Sequence, residues 1–159
     1  MMRAADPLAS TKLRPSQARL KLVARPRLVE SLTREPGRRL TLLSAPAGFG
    51  KTTLLNKWMK DSVGGEGYVA WLSLDEGDND PTRFLSYLVA ALRRTVEEGF
   101  GEGVLAALRS PKPPRPEALA AALINEFADL PGEVSLILDD YHLIDSQAVH
   151  GIVSFLLDF

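Results

Sequence analysis

The sequence predicts an α/β fold in which a parallel sheet is layered between helices. Three observations carry that expectation. Short apolar runs alternate with segments of helical spacing along most of the chain. A glycine-rich loop lies between one such run and the helix after it, at Ala45–Thr53. A later run, Val134–Leu138, ends in the paired carboxylates Asp139 and Asp140.

The elements follow in order. Residues 1–18 are polar, contain Pro7 and Pro15, and read as a leader or linker. Residues 19–159 read as the N-terminal part of one domain. Leu22, Val23, Leu28, Val29 and Leu32 fall near helical spacing, and Pro26 suits a first turn in a helix ending about Arg34. Pro36-Gly37 breaks it, and Leu40–Ser44 reads as a buried strand. Beyond the glycine loop, Leu54, Leu55 and Trp58 mark a helix over Thr52–Lys60. Tyr68–Leu74 is a second strand, followed by the acidic loop Asp75–Asp80. Asp80-Pro81 is a helix start, with Asp80 as cap, and Phe84, Leu85, Leu88, Val89 and Leu92 carry that helix toward Glu98. A short helix fits Val104–Leu108, and the prolines of Ser110–Pro116 impose an extended connection. Leu119, Leu123, Ile124 and Phe127 face inward from a helix over Glu117–Asp129. Val134–Leu138 is the third strand, and Ser146 caps a last helix with Val149, Ile152, Val153 and Leu156.

Composition narrows the function classes. The chain has 159 residues, 45% hydrophobic, which is ordinary for a folded domain. It has no cysteine, so disulfides, zinc–thiolate sites and cysteine nucleophiles are excluded. Two histidines, His142 and His150, are too few for a histidine-rich metal cluster. The longest uncharged apolar runs are too short to span a bilayer, and Met1–Ser10 has no apolar core before a cleavage site. A cytoplasmic location without membrane partners is expected. The net charge of −1 hides a split, with 13 basic and 3 acidic residues over 1–60 and 6 basic and 17 acidic over 61–159. Two readings suit it: a basic segment lying on an acidic body, or a basic half meeting nucleotide phosphates. The basic residues are dispersed and no aromatics interleave with them, which disfavours a nucleic-acid face.

The loop Ala45-Pro46-Ala47-Gly48-Phe49-Gly50-Lys51-Thr52-Thr53 has the form of a phosphate-binding P-loop. Successive backbone N–H groups of such a loop wrap a β-phosphate, and its glycines let the chain approach closely. The start of the following helix adds partial positive charge. Lys51 supplies a point charge for the β- and γ-phosphates, and Thr52 supplies a hydroxyl for Mg²⁺. The pattern usually opens on glycine, and here it opens on Ala45. The apolar strand ending in Asp139-Asp140 is a Walker B element in this context. Asp139 would support Mg²⁺ through water, and Asp140 would orient or deprotonate an attacking water. Aspartate is one methylene shorter than the glutamate many such ATPases carry there, so slow turnover is expected.

Other features have plainer readings. Asp75, Asp78 and Asp80 lack EF-hand spacing and suit capping and solvation better. Trp58 and Trp71 read as core residues, His142 as a structural neighbour of Tyr141, and Arg93-Arg94 as a solvated helix face. The proline-rich stretch 111–116 reads as a connector.

Thr11–Pro15, Leu22–Leu28, Ser44–Thr53, Trp71–Pro81 and Leu138–Ile144 together resemble the N-terminal ATPase domain of MalT-like, LuxR-family transcriptional regulators, members of the STAND class of signalling ATPases. The resemblance spans about residues 11–157. It implies a P-loop NTPase sheet of three layers, α/β/α, and an ATP/ADP switch with Mg²⁺. It implies nucleotide contacts at Ala45, Gly48, Phe49, Gly50, Lys51, Thr52 and Thr53, and places Val23 and Arg25 beside the adenine. It assigns Thr52 and Asp139 to the metal and Asp140 to slow hydrolysis. Full-length relatives self-associate in the ATP state and bind DNA through a C-terminal helix-turn-helix, which lies outside this sequence. The strand that would separate the P-loop strand from the Walker B strand comes later in such proteins, so the sheet is expected to be incomplete, with a central gap and reduced stability. A small-molecule kinase and a non-hydrolysing nucleotide-binding interaction domain are the alternatives. Direct DNA binding by this segment is the least favoured.

Overall fold

The computed structural model describes residues 9–15, 26–33, 38–46, 48–62 and 67–158. Its helices are α1 (Pro26–Thr33), α2 (Lys51–Ser62), α3 (Pro81–Arg93), α4 (Glu102–Leu108), α5 (Pro116–Ala128) and α6 (Gln147–Leu157). Its strands are β1 (Tyr68–Ser73) and β2 (Val134–Asp139). Strands and helices are mixed as expected, and β1 and β2 pair in parallel, from Tyr68↔Val134 to Ser73↔Asp139. A parallel pair needs a long crossover, which α3, α4 and α5 supply.

Both strands are apolar nearly throughout, as strands covered on two faces must be. Alternation sends Ala70 and Leu72 into the main core, where Leu136 and Leu138 pack beside them. The odd-numbered partners, Trp71 and Ile137, are buried on the opposite face. Asp139 belongs to that second face, which is why it meets α2 rather than the core.

Helix α3 is central. Asp80 caps it by accepting from the Arg83 N–H at 2.7 Å, and Pro81 takes the first turn. Phe84, Leu85, Leu88, Val89 and Leu92 are all buried, together with Val104, Leu119, Leu123, Val149 and Ile152 from α4, α5 and α6. Burying one such side chain stabilises by about 2 kcal/mol. The helix ends at Arg93, short of the expected Glu98, because the chain turns to bury Phe100 against Phe127, with ring centroids 5.1 Å apart. Gly101 makes that turn at φ 68°, and a Cβ there would meet Val89 Cγ1 at 2.6 Å. Arg93, expected to be solvated, instead donates from Nε to the Phe100 carbonyl at 2.6 Å.

One further expectation fails. The strand expected at Leu40–Ser44 does not form, and Leu40 and Leu42 are 61% and 80% exposed. An apolar run becomes a strand only beside a partner whose N–H and C=O groups complete its ladder. Among the described residues the sheet consists of β1 and β2, and the segment pairs with neither. Of the segment read as a leader or linker, residues 9–15 are described. Ser10–Leu13 forms a 3₁₀ turn that packs on β1 and α3, with Lys12 buried. Helix α1 begins at Pro26 as expected, while residues 19–25 lie outside the described residues.

Candidate functional site

The glycine loop bends where its sequence permits. Gly48 and Gly50 have φ of 82° and 80°, left-handed values that a side chain would strain. The bend delivers the chain into α2, whose first turn is secured by the Leu54 N–H donating to Gly50 O at 2.9 Å. A helix's first-turn N–H groups have no acceptor within the helix and suit an anion. Lys51 Nζ folds back onto the loop, donating to the carbonyls of Ala45 at 2.7 Å and Pro46 at 3.3 Å. Thr53 lies on the same first turn, and Phe49 is 58% exposed at the loop's tip. Val23 and Arg25, expected beside the adenine, lie outside the described residues, as does Ala47.

The two sequence motifs meet at one hydrogen bond. Thr52 Oγ1 donates to Asp139 Oδ2 at 2.9 Å, across 87 positions of sequence. Burial pushes the Asp139 carboxyl above its usual range and the neighbouring Asp140 charge adds to this, while Thr52, the Asp140 N–H and Lys51 oppose it. A buried carboxylate beside a hydroxyl is an oxygen donor pair of the kind Mg²⁺ takes, completing its shell with water and phosphate. Among the described residues no three His, Asp or Glu side chains converge as a larger metal-ligand group.

Asp140 adopts φ 59°, left-handed for a non-glycine residue, and turns the chain off the strand end. Its carboxylate is about half exposed, and His142 Nδ1 lies 4.0 Å from Oδ1. His142 is therefore a solvent-facing neighbour of Asp140 rather than of Tyr141. The residue that holds Tyr141 is His150 on α6, whose Nδ1 is 2.7 Å from the phenol oxygen. Burial raises the Tyr141 pKa.

The acidic loop after β1, expected to serve capping and solvation, is an ionic cluster. Asp78 is fully buried and bonded to Lys12 Nζ, to Arg83 Nε at 3.1 Å and to the Asp75 N–H at 2.8 Å. Lys12 also reaches Asp75 at 2.9 Å and lies 4.4 Å from the centre of the Tyr87 ring. Burial works against the Asp75 charge, but the Lys12 hydrogen bond, the Gly77 N–H and the Lys12 and Arg83 charges outweigh it and hold the carboxyl below its usual range. Within residues 9–15, Lys12 thus lies on the acidic loop after β1. The Asp75…Asp78 spacing of a capping box was a visible signal. The partnership with Lys12, 66 positions away, had none.

Trp71 is a core residue as expected, with Nε1 donating to Ser73 Oγ at 2.8 Å. Trp58 is not, being only partly covered on α2. Among the described residues no helix is long and apolar enough to cross a membrane.

The chain is similar in sequence to known proteins. The chain is 41% identical over 137 residues to the HTH-type transcriptional regulator MalT of Serratia proteamaculans, covering 85% of this chain and 14% of that protein. It is 38% identical over 135 residues to MalT of Cronobacter sakazakii, with the same coverage of 85% and 14%. It is 34% identical over 152 residues to the serine/threonine-protein kinase PknK of Mycobacterium tuberculosis, covering 96% of this chain and 14% of that protein. The chain therefore spans about one seventh of the length of the curated relatives it matches. No family model matches it.

Proposed function

We propose that this chain, similar to one segment of MalT-type transcriptional regulators, is the nucleotide-binding switch module of such a regulator. The observation that carries the proposal is the Thr52–Asp139 hydrogen bond, which brings the glycine loop and the acidic strand end into one site. The kinase among the relatives supports the same reading, because a segment common to a transcriptional regulator and a kinase suits a shared switch better than either output.

The residues divide the work. The loop N–H groups and the start of α2 hold phosphate, and Lys51 exchanges its carbonyl partners for phosphate oxygens. Thr52 and Asp139 would hold Mg²⁺, which when bound neutralises charge on the β- and γ-phosphates. Asp140 orients a water and accepts its proton, slowly, because its carboxylate is short. ATP and ADP act as a switch only where they favour different conformations, since equal affinity for two states shifts neither. In this reading the module works in the cytoplasm, the full-length protein self-associates with ATP, and DNA is bound elsewhere in it.

Calorimetry on the 159-residue chain tests the proposal, with Mg²⁺-ATP and ADP as ligands and Lys51→Ala as control. Binding that vanishes in the variant is the expected result. A folded chain that binds neither nucleotide would refute it. Phosphoryl transfer to an acceptor is the second reading, favoured by the name of the kinase relative. Acceptor-dependent ADP release is the result that would favour this reading.

A further inference from the structure

Asn79 lies in the loop after β1, outside both nucleotide motifs, yet its amide reaches the turn that carries Asp140. Nδ2 donates to the Glu76 carbonyl and to the Leu143 carbonyl, both at 3.0 Å. Oδ1 accepts from the Asp145 N–H at 2.7 Å and the Ser146 N–H at 2.8 Å. An asparagine amide has two N–H donors and two acceptor lone pairs, so all four capacities are used, and only this orientation of the amide satisfies them. Three of the four bonds go to the backbone of residues 143–146, at the far end of the Asp140 turn.

That turn is held at two places. At its start, Asp139 is fixed by the β ladder, by the Leu74 N–H donating to its carbonyl at 2.9 Å, and by Thr52. At its end, Asn79 grips the backbone, and the Leu143 N–H donates to the Asp140 carbonyl at 3.1 Å. Leu143 therefore joins Asn79 to Asp140 through its two peptide groups. Asp140 itself is exposed and left-handed, and among the described residues its carboxylate has an ion-pair contact with His142, at 4.0 Å. Its placement comes from the backbone, which Asn79 grips at the far end of the turn. The loop bearing Asn79 is anchored in turn by Asp78 with Lys12 and Arg83, and by Asp80 at the start of α3.

We infer that Asn79 is a positioning residue for Asp140, setting the site's geometry for the phosphoryl group in transfer rather than its affinity for nucleotide. This rests on the nucleotide-switch reading above.

The test compares ADP binding with and without aluminium fluoride, a mimic of the transferring phosphoryl group, by calorimetry in Mg²⁺. The proteins are the full chain, Asn79→Leu, Asn79→Asp, Asp140→Asn and the Asn79→Leu/Asp140→Asn double variant. Fluoride is expected to tighten ADP binding in the parent. Asn79→Leu is expected to lose about tenfold or more of that gain, since small misplacements of reacting groups cost that much, with ADP affinity alone unchanged. Asn79→Asp keeps the acceptor half of the pin and is expected to recover part of the gain. The double variant is expected to match Asp140→Asn, because residues acting through one another are not additive. A parent that binds no nucleotide refutes the underlying reading. A parent that binds ADP with no fluoride gain, an Asn79→Leu that keeps the gain, a loss of plain ADP binding in Asn79→Leu, or additive losses would each overturn the inference alone.

Discussion

Helices α2 and α3 differ by one residue in length, 12 against 13, and both carry apolar side chains at helical spacing. Yet α3 buries seven residues and α2 none. The difference lies in their neighbours. Helix α3 has β1 on one side, α4 and α6 on others, and the Ser10–Leu13 turn beside it. Helix α2 packs chiefly on α1, and the segment leading into it, residues 38–46, leaves Leu40 and Leu42 open to solvent. On α2, Asn56 Oδ1 and Trp58 Nε1 are shielded from water without a partner among the described residues. The lesson is a division of the site. Its carboxylates stand on a consolidated body, and its glycine loop is carried by a lightly packed arm, the part of a protein that opens most readily. A nucleotide that bridges the two halves would bind them together, as ligands that favour one state do.

The sharpest way to break the contrast is in the body. Phe84→Ala is expected to cost about 4 kcal/mol, seen as a lower urea midpoint, because Phe84 is fully buried. Next is Lys12→Met. Asp78 would keep Arg83 but lose its second cation while fully buried, for a cost of about 2 kcal/mol, which pairing with Asp78→Asn is expected to reduce. A cost near zero would mean that the N-terminal turn is not part of the body.

Asp139→Asn tests the junction. The carboxyl is held above its usual range by burial, so its charge opposes folding at neutral pH. The amide is expected to raise the nucleotide-free melting temperature by on the order of 2 °C while removing the Mg²⁺ dependence of nucleotide binding. A lowered melting temperature would show that the Thr52 bond outweighs desolvation.

Acid titration gives a smaller effect. The folded Asp75 carboxyl lies below its unfolded value, so its stabilisation is complete above the unfolded value and is lost as pH falls through the folded one. The unfolding midpoint of the parent is therefore expected to fall more steeply below the ordinary carboxylate range than that of Asp75→Asn. Parallel curves would remove Asp75 from the cluster's energetics. Smallest of all is Leu42→Ser in the arm, expected to change stability by no more than about 0.5 kcal/mol. A change as large as that of Phe84→Ala would erase the distinction between the regions.

Much of the fold was legible in local pattern. Asp80 and Ser146 were identified as caps because capping depends on a side chain and an N–H a few residues on. Helices α3, α5 and α6 and both strands carry their burial in their own periodicity, so they form nearly where the sequence places them. The glycine loop was legible because φ values near 80° at Gly48 and Gly50 demand glycine. Sequence also marked Thr52 and Asp139 separately, each by its own motif.

What the sequence by itself determined is therefore whatever is settled within about ten residues: caps, turns, helical faces and the identity of the chemical groups. Tertiary structure alone decided that Leu40–Ser44 is not a strand, because a ladder is a property of two segments and an apolar run names only one. It alone seated Lys12 on Asp78, joined Tyr141 to His150 rather than leaving it beside His142, and set Asn79 across two loops. Such contacts depend on where the sheet's register brings distant backbone together, as with Ser73 against Asp139, and no local periodicity encodes that register.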